Sequence, residues 1–499
     1  MDYLTVNIII SITGFIVWIY FLYLQKLYKL KKFFKNFPTP PTQPILGNAG
    51  DFSTTSDILK TFHKYTNEYG TMVHFRLGPV GHMLLSSDYD FFEFLLSSKK
   101  LLSRPNNMKY LESWLGKGIA TANGEKWKSR RRLLNPIFHY KILEKFVEIF
   151  ESGGSVLVEK LSKMDNTKSM DIHPHITRCT LDIVCESVTG TKMNVQNREN
   201  SLYFQSVKNM SKIFMNRTMS ITKCYDCIYR FTRDYAVEQE SLKHLHGFTD
   251  SVISKKLEQL RNKPTKSSTE PDEDNGRKAF LDTILEADET LSHKEIREEL
   301  NTLIFAGYET TAAATSFILF CLAKHKEVQD KILEEQERIF GNGQEAKVTY
   351  ANLQEMKYLE NVVKEGLRLY SPLPLQGREI DQDVEFNGIT IPKGVTVFLF
   401  AHGIHMNPRF YPDPDKFDPS RFDDDKEKKP FAFIPFSAGL RSCIGQKFAM
   451  LVIKSLVAKI VRNFEFFPAF PEHKLELAAE SVLKSLNGVK IGLKLRQDI

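Results

Sequence analysis

The chain is poor in cysteine. Its 499 residues hold six: Cys179, Cys185, Cys224, Cys227, Cys321 and Cys443. Their spacing makes no disulfide framework, which sets aside the small secreted scaffolds and points to reduced thiols on the cytosolic side. The one C-x-x-C, Cys224 with Cys227, has no second pair to complete a zinc site, so two unpaired helix thiols are expected. No internal repeat is visible, which excludes solenoids and propellers. The disorder signature is missing too: 42% hydrophobic and 26% charged residues leave ample material for a core. Excess charge is small, 68 basic against 61 acidic residues for a net +7. It is too diffuse for nucleic acid, though it would suit an anionic membrane surface or an acidic protein partner.

What is present begins at the amino terminus. From Leu4 to Leu24 the chain runs 21 residues without a charge, about the length that crosses a hydrocarbon core as a helix. The start carries Asp2 and the run ends in bulky aromatics, unlike a cleaved signal peptide. Lys26, Lys29, Lys31, Lys32 and Lys35 follow, which puts that end and the rest of the chain in the cytosol. Prolines at 38, 40, 41 and 44 then predict a stiff non-helical spacer. The expected organisation is a transmembrane signal-anchor over 1–25, a basic and proline-rich linker over 26–46, and a catalytic domain over 47–499.

Beyond residue 47, long amphipathic helical stretches alternate with short β-rich patches. Residues 262–278 and 423–429 read as polar surface loops. Ser292 with Glu295 is a capping-box start for a helix too apolar in its middle to lie on the surface, so it is placed through the domain centre. "LENVVKEGLRLYSPLP" predicts a helix closed by Ser-Pro. The stretch from Arg378 to His405 alternates like strands, with turns at Asn387-Gly388 and Lys393-Gly394. His402 and His405 sit in that strand-like context without a third ligand and are not expected to bind metal. A last helix is expected over about 444–463.

One stretch carries unusual punctuation. In "FAFIPFSAGLRSCIGQKFAM" Gly439 permits a tight turn, Arg441 adds a positive charge, and Cys443 stands just before a helix start. Unpaired backbone N–H groups and a nearby cation stabilise a thiolate, which makes Cys443 a candidate metal ligand.

Phe436, Gly439, Arg441, Cys443 and Gly445 match every position of F-x-x-G-x-R-x-C-x-G, and the chain resembles the cytochrome P-450 superfamily there. The likeness recurs in Glu365 and Arg368 of "EGLR", Arg421 of "DPSRF", "AGYETT" over 306–311, and Trp127 with Arg131 of "GEKWKSRRRLL". The family's usual Glu before the arginine is Ser420 here. The resemblance implies a mainly α fold, a large helical domain with a smaller β-rich lobe around a buried haem. It implies Cys443 as the axial ligand of the iron in haem b, with Trp127, Arg131, Arg378 and Arg441 around the propionates. It also implies a structural cluster of Glu365, Arg368 and Arg421, and an oxygen site at Ala306 and Gly307. There Thr310 would bond the carbonyl four residues back and stand beside bound dioxygen, with Glu309 relaying protons.

Several stretches resemble arthropod members of the clan that contains the fatty-acid ω-hydroxylases. Many of that clan read F-E-G-H-D-T-T in the central helix, where a glutamate can bond covalently to the haem. Ala306 occupies that place here, so non-covalent haem is expected. The implied pocket comprises the 104–120 region, Phe305, Ala306, Leu373–Leu375 and Leu483–Leu486. These are mostly apolar, which implies a lipophilic substrate. The implied activity is a monooxygenase in the endoplasmic reticulum membrane, fed by NADPH through NADPH-cytochrome P-450 reductase, with cytochrome b5 as a second donor. Lys128, Arg132 and Lys447 are candidates for docking the reductase. A haem-thiolate isomerase or dehydratase, and a non-catalytic haem-binding protein, are the alternatives. Thr310 with Glu309 argues against the isomerase.

Overall fold

A computed structural model describes residues 3–496, apart from 53, 79–80, 165–168, 199–200, 263–277, 288–290, 342–346 and 424–428. Both expected surface loops, 262–278 and 423–429, fall almost wholly outside the described residues. Helices dominate, and four small sheets complete the fold.

The first helix, Tyr3–Phe34, is 32 residues long and continues through the lysine-rich stretch before it ends. Ile12 to Leu22 present their large apolar side chains outward, whereas Phe33 and Phe34 at the last turn are buried. Phe34 stacks on His74 with ring centroids 4.1 Å apart, so the end of this helix is bolted to the β-rich lobe. The proline segment that follows is neither helix nor strand. It is fixed along the sheet edge by His74 N–H donating to Pro38 O (2.9 Å) and Asn48 N–H donating to Arg76 O (2.6 Å).

The largest sheet runs Met72–Arg76, His82–Ser86, Thr396–Phe400, Leu375–Glu379; only its middle pair is parallel. A hairpin of Val384–Phe386 and Ile389–Ile391 turns at Asn387 (φ 48°) and Gly388 (φ 76°), as its Asn-Gly predicts. The strand alternation expected through His405 stops at Phe400, and Ala401–His405 is a short helix. A three-stranded sheet joins Met170–Asp171, Lys490–Leu495 and Phe464–Pro468.

The central helix, His293–Lys324, is capped as expected: Ser292 Oγ accepts from Glu295 N–H, and Ser292 N–H donates to Glu295 Oε2 at 3.2 Å. It is long and apolar enough to span a membrane, but protein covers most of it. It packs on the helices His173–Thr189, Arg233–Asn262, Lys357–Leu369 and Gln446–Asn463. Two hydrophobic clusters result, a large one among the helices and a smaller one under the main sheet. The segment 431–450 spans the seam between them: Ile434 and Ala438 pack into the smaller, Phe436, Ile444 and Phe448 into the larger. That seam positions the site.

Candidate haem site

Ser437 (φ 60°) and Gly439 (φ 69°) both take the left-handed conformation and fold the chain back on itself before the cysteine. Gly439 is obligatory, because a Cβ there would come 1.8 Å from Leu96 O. The loop closes when Cys443 N–H donates to Phe436 O at 2.8 Å. The helix Gln446–Asn463 starts three residues on. Protein encloses the Cys443 sulfur, yet the residue keeps accessible surface, so it borders an interior space. Burial pushes the thiol up, opposed by the Gly445 N–H and by Arg131 and Arg104.

Arg441, expected as a positive charge near the sulfur and as a propionate partner, bonds to backbone across the fold. Its Nε donates to Leu102 O (2.9 Å), and its Nη2 to Ala122 O (2.6 Å) and Asn123 Oδ1 (3.0 Å). The guanidinium lies 4.2 Å from the Trp127 ring centroid. Arg131 Nη1 donates to Ser442 O at 2.7 Å and pins the loop from the other side. Arg378, buried, gives one bond to Gly377 O.

Arg104 is the residue that sequence reasoning placed only loosely, within the pocket region. Its Nε is buried without a hydrogen-bond partner. Burial, then Arg104, pushes Arg378 down to about 9, and burial followed by Arg104, Arg378 and Arg131 pushes Arg441 down to about 8. Among the described residues no carboxylate acts on any of these four arginines. Four crowded guanidiniums without an anion form a cradle for a buried dianionic group. The local sequence, Ser103-Arg104-Pro105-Asn106-Asn107, carries no signal that sets Arg104 apart from a surface arginine.

Beneath the cysteine loop the other cluster comes together. Arg368 holds Glu365 bidentately, Nε to Oε2 at 2.7 Å and Nη2 to Oε1 at 2.8 Å, with both residues fully buried. Arg421 Nε stands 3.4 Å from Glu365 Oε1. Asp418 N–H donates to that same oxygen, and Arg368 also reaches His405 O and Lys416 O. One ion pair thus ties four segments together. The histidines are occupied within the protein: His402 Nδ1 meets His63 Nε2 at 2.7 Å, and His405 Nε2 accepts from Ile434 N–H at 3.0 Å.

On the opposite face, Ala306 is exposed in the middle of an otherwise buried helix, so it opens onto an interior space. Thr310 Oγ1 donates to Ala306 O at 2.7 Å, and from the neighbouring helix Thr180 Oγ1 donates to Tyr308 O at 3.1 Å. Two carbonyls two residues apart thus accept hydroxyls, which loosens the helix locally. Gly307, expected beside the oxygen site, turns its Cβ direction towards the His173–Thr189 helix. A Cβ there would lie 3.1 Å from Val184 Cγ1, so its smallness serves helix approach. Glu309 is buried and turned to Lys484 (2.9 Å) and Ser211 (3.4 Å). Trp114 packs on Phe305 in the expected pocket region, and Leu483 N–H donates to Pro372 O (2.8 Å), joining the two C-terminal pocket segments.

A lone enclosed cysteine, a cationic cradle of arginines beside it and a locally opened central helix fit a haem-thiolate protein. The family model of cytochrome P450 matches residues 37–489, and the chain belongs to that family; it is a cytochrome P450 monooxygenase. It is 38% identical to cytochrome P450 4d2 of Drosophila melanogaster over 453 residues, 88% of each chain. It is 36% identical to cytochrome P450 4c3 of the same fly, covering 80% of this chain and 77% of that one. Human cytochrome P450 4V2 is 36% identical, over 87% of this chain and 84% of its own.

Proposed function

We propose that this monooxygenase is membrane-anchored and inserts one atom of dioxygen into a lipophilic substrate, with electrons from NADPH through NADPH-cytochrome P-450 reductase and with cytochrome b5 as a second donor. The observation that carries the reading is the accessible Cys443 with Arg131 and Arg104 acting on its sulfur and Arg378 and Arg441 crowded beside them, none paired with a carboxylate among the described residues; the opened turn at Ala306–Thr310 supports it. Haem b, when bound, supplies the oxygen-activating chemistry, to which a thiolate ligand donates electron density.

The chain's own residues do the rest. Cys443 would hold the iron through its sulfur, with the Gly445 N–H supporting its negative charge. Trp127, Arg131, Arg378 and Arg441, with Arg104 beside them, would hold the propionates, and the bonds of Arg441 to Leu102 O and Ala122 O also fix the loop that aims the cysteine. Glu365, Arg368 and Arg421 lock the fold beneath it. Ala306 leaves room for dioxygen. Thr310 Oγ1, now donating to Ala306 O, would be the hydroxyl that holds a proton at the oxygen site, with Glu309 supplying protons from water. With alanine at 306, no carboxylate stands there to esterify the haem, and the cofactor is held non-covalently. Acidified organic extraction should release it; retention would end this part of the reading.

The outward apolar face of the helix Tyr3–Phe34, followed by Lys29, Lys31, Lys32 and Lys35, supports a single span of the endoplasmic reticulum membrane with the domain in the cytosol. Lys128, Arg132 and Lys447 are exposed and available to an acidic reductase surface. The test is product formation that requires NADPH, reductase and oxygen together. Thr310→Ala should divert reducing equivalents into hydrogen peroxide by several-fold. Normal coupling in that variant would remove the proton-relay role, and oxygen-independent turnover would revive the isomerase reading.

A further inference from the structure

The stretch 118–123 is held from two sides. On the cysteine side, Arg441 Nη2 donates to Ala122 O and Asn123 Oδ1, and Nη1 reaches Ile119 O at 3.5 Å. Asn123 Oδ1 also accepts the backbone N–H of Arg104 at 2.9 Å, so one side chain ties two arginines of the cradle together. On the other side, Glu299 of the central helix is fully buried, and its Oε2 accepts Ile119 N–H at 3.0 Å. Its Oε1 lies 3.4 Å from Nε of Arg130, on the helix Gly124–Leu134 that also carries Trp127 and Arg131. Gly118 lets the stretch press against the central helix: a Cβ there would lie 2.4 Å from Thr302 Oγ1 and 2.8 Å from Glu298 O. Burial pushes the Glu299 carboxyl up to about 7, opposed by the Ile119 N–H and Arg130. A neutral amide is therefore a close replacement that keeps an acceptor for Ile119.

We infer that Glu299 is a positioning residue for the haem cradle, registering Arg104 and Arg441 through Ile119, and Trp127 and Arg131 through Arg130, against the central helix. This rests on the reading of the arginines as partners of the haem propionates. Glu299 stands about two turns before Ala306 on the same helix. The helix that opens at the oxygen site therefore also holds the segments that carry the propionate partners. With its N–H satisfied, Ile119 has one position, and Arg104 and Arg441 share one frame. Without the carboxyl a buried donor is left unpaired, and the stretch must shift towards water or another acceptor, taking both arginines with it.

The experiment uses the haem-loaded full chain in detergent micelles. It reads the propionate bending bands by resonance Raman, and the rate of haem transfer to apomyoglobin. Glu299→Leu should move the bands and speed the transfer roughly ten-fold, whereas Glu299→Gln should keep both at the wild-type level. Gly118→Ala, which pushes the stretch off the central helix, should move the bands as well. Gln329→Leu is the control: it removes buried bonds to Leu322 and Phe466, outside the cradle, and should lower the urea midpoint without moving the bands. If Glu299→Leu and Gly118→Ala both behave as Gln329→Leu does, Glu299 is only a structural acid and the inference is overturned. Should Glu299→Leu fail to fold, Gly118→Ala decides by itself, and unmoved bands there overturn the inference. If the bands stay fixed in Arg104→Leu too, the arginines do not hold the propionates, and the cradle reading falls together with the inference.

Discussion

The two faces of the interior site are built differently. On the cysteine face, Glu365, Arg368, Arg421, His402, His405 and Arg441 give their donors and acceptors to backbone or side chains of distant segments. On the opposite face, Thr310 bonds only within its own helix, Ala306 stays open, and Glu309 shares a lysine that has a second anion. The first face holds one geometry; the second has exchangeable partners. A metal ligand must not move, whereas a proton carrier must.

The contrast can be broken most severely at Arg368. Arg368→Ala leaves Glu365 charged and buried, which should cost about 3–5 kcal/mol and abolish haem incorporation. Urea unfolding and haem content check this, and near-normal stability would show that the cluster is not the brace described here.

The acid limb of stability comes next. His402 and His405 on the cysteine face are lowered to about 3, chiefly by burial, and His74 and His173 elsewhere to about 4 for the same first cause. Unfolded histidines titrate at about 6.5, so the unfolded chain takes up protons first. Stability should be full above that value and fall as pH drops through 6.5 towards 4. Each histidine contributes roughly 1.4 kcal/mol per pH unit within the window. His402→Asn should flatten the slope of the urea midpoint against pH by about one proton; an unchanged slope would exclude His402 as a buried neutral group.

The smallest effect sharpens the other side. Gly307→Ala forces Val184 to give way and should cost about 1–3 kcal/mol by overpacking. Peroxide release should stay at the wild-type level, because Gly307 faces a helix and not the oxygen site. A rise in peroxide at unchanged stability would place Gly307 back beside dioxygen.

Much of the cysteine face was legible in the sequence because it is written in short-range signals. Gly439, the capping box at Ser292 and the i,i+3 spacing of Glu365 and Arg368 are local devices whose geometry follows from the backbone. Arg441 was read as a charge near the sulfur and as a propionate partner; its carbonyl partners at Leu102 and Ala122 lie some 320–340 residues away and leave no trace nearby. Arg104 was missed as part of the cradle for the same reason, and so was Lys484 as the partner of Glu309.

By itself the sequence determined the reaction class: one cysteine in a glycine-punctuated loop, a Glu-x-x-Arg helix and a Glu-Thr step in a long apolar helix. It also marked two apolar helices, Tyr3–Phe34 and His293–Lys324, that hydropathy alone does not separate. The apolar middle and capping box of the second already placed it inside the domain; tertiary structure decided which helices wrap it and showed Ile12–Leu22 of the first facing outward. Only tertiary structure decided, too, which way each buried charge points. The physical reason is common to both: a turn or cap is satisfied by atoms a few bonds away, whereas a buried charge needs whatever partner the folded chain brings to it.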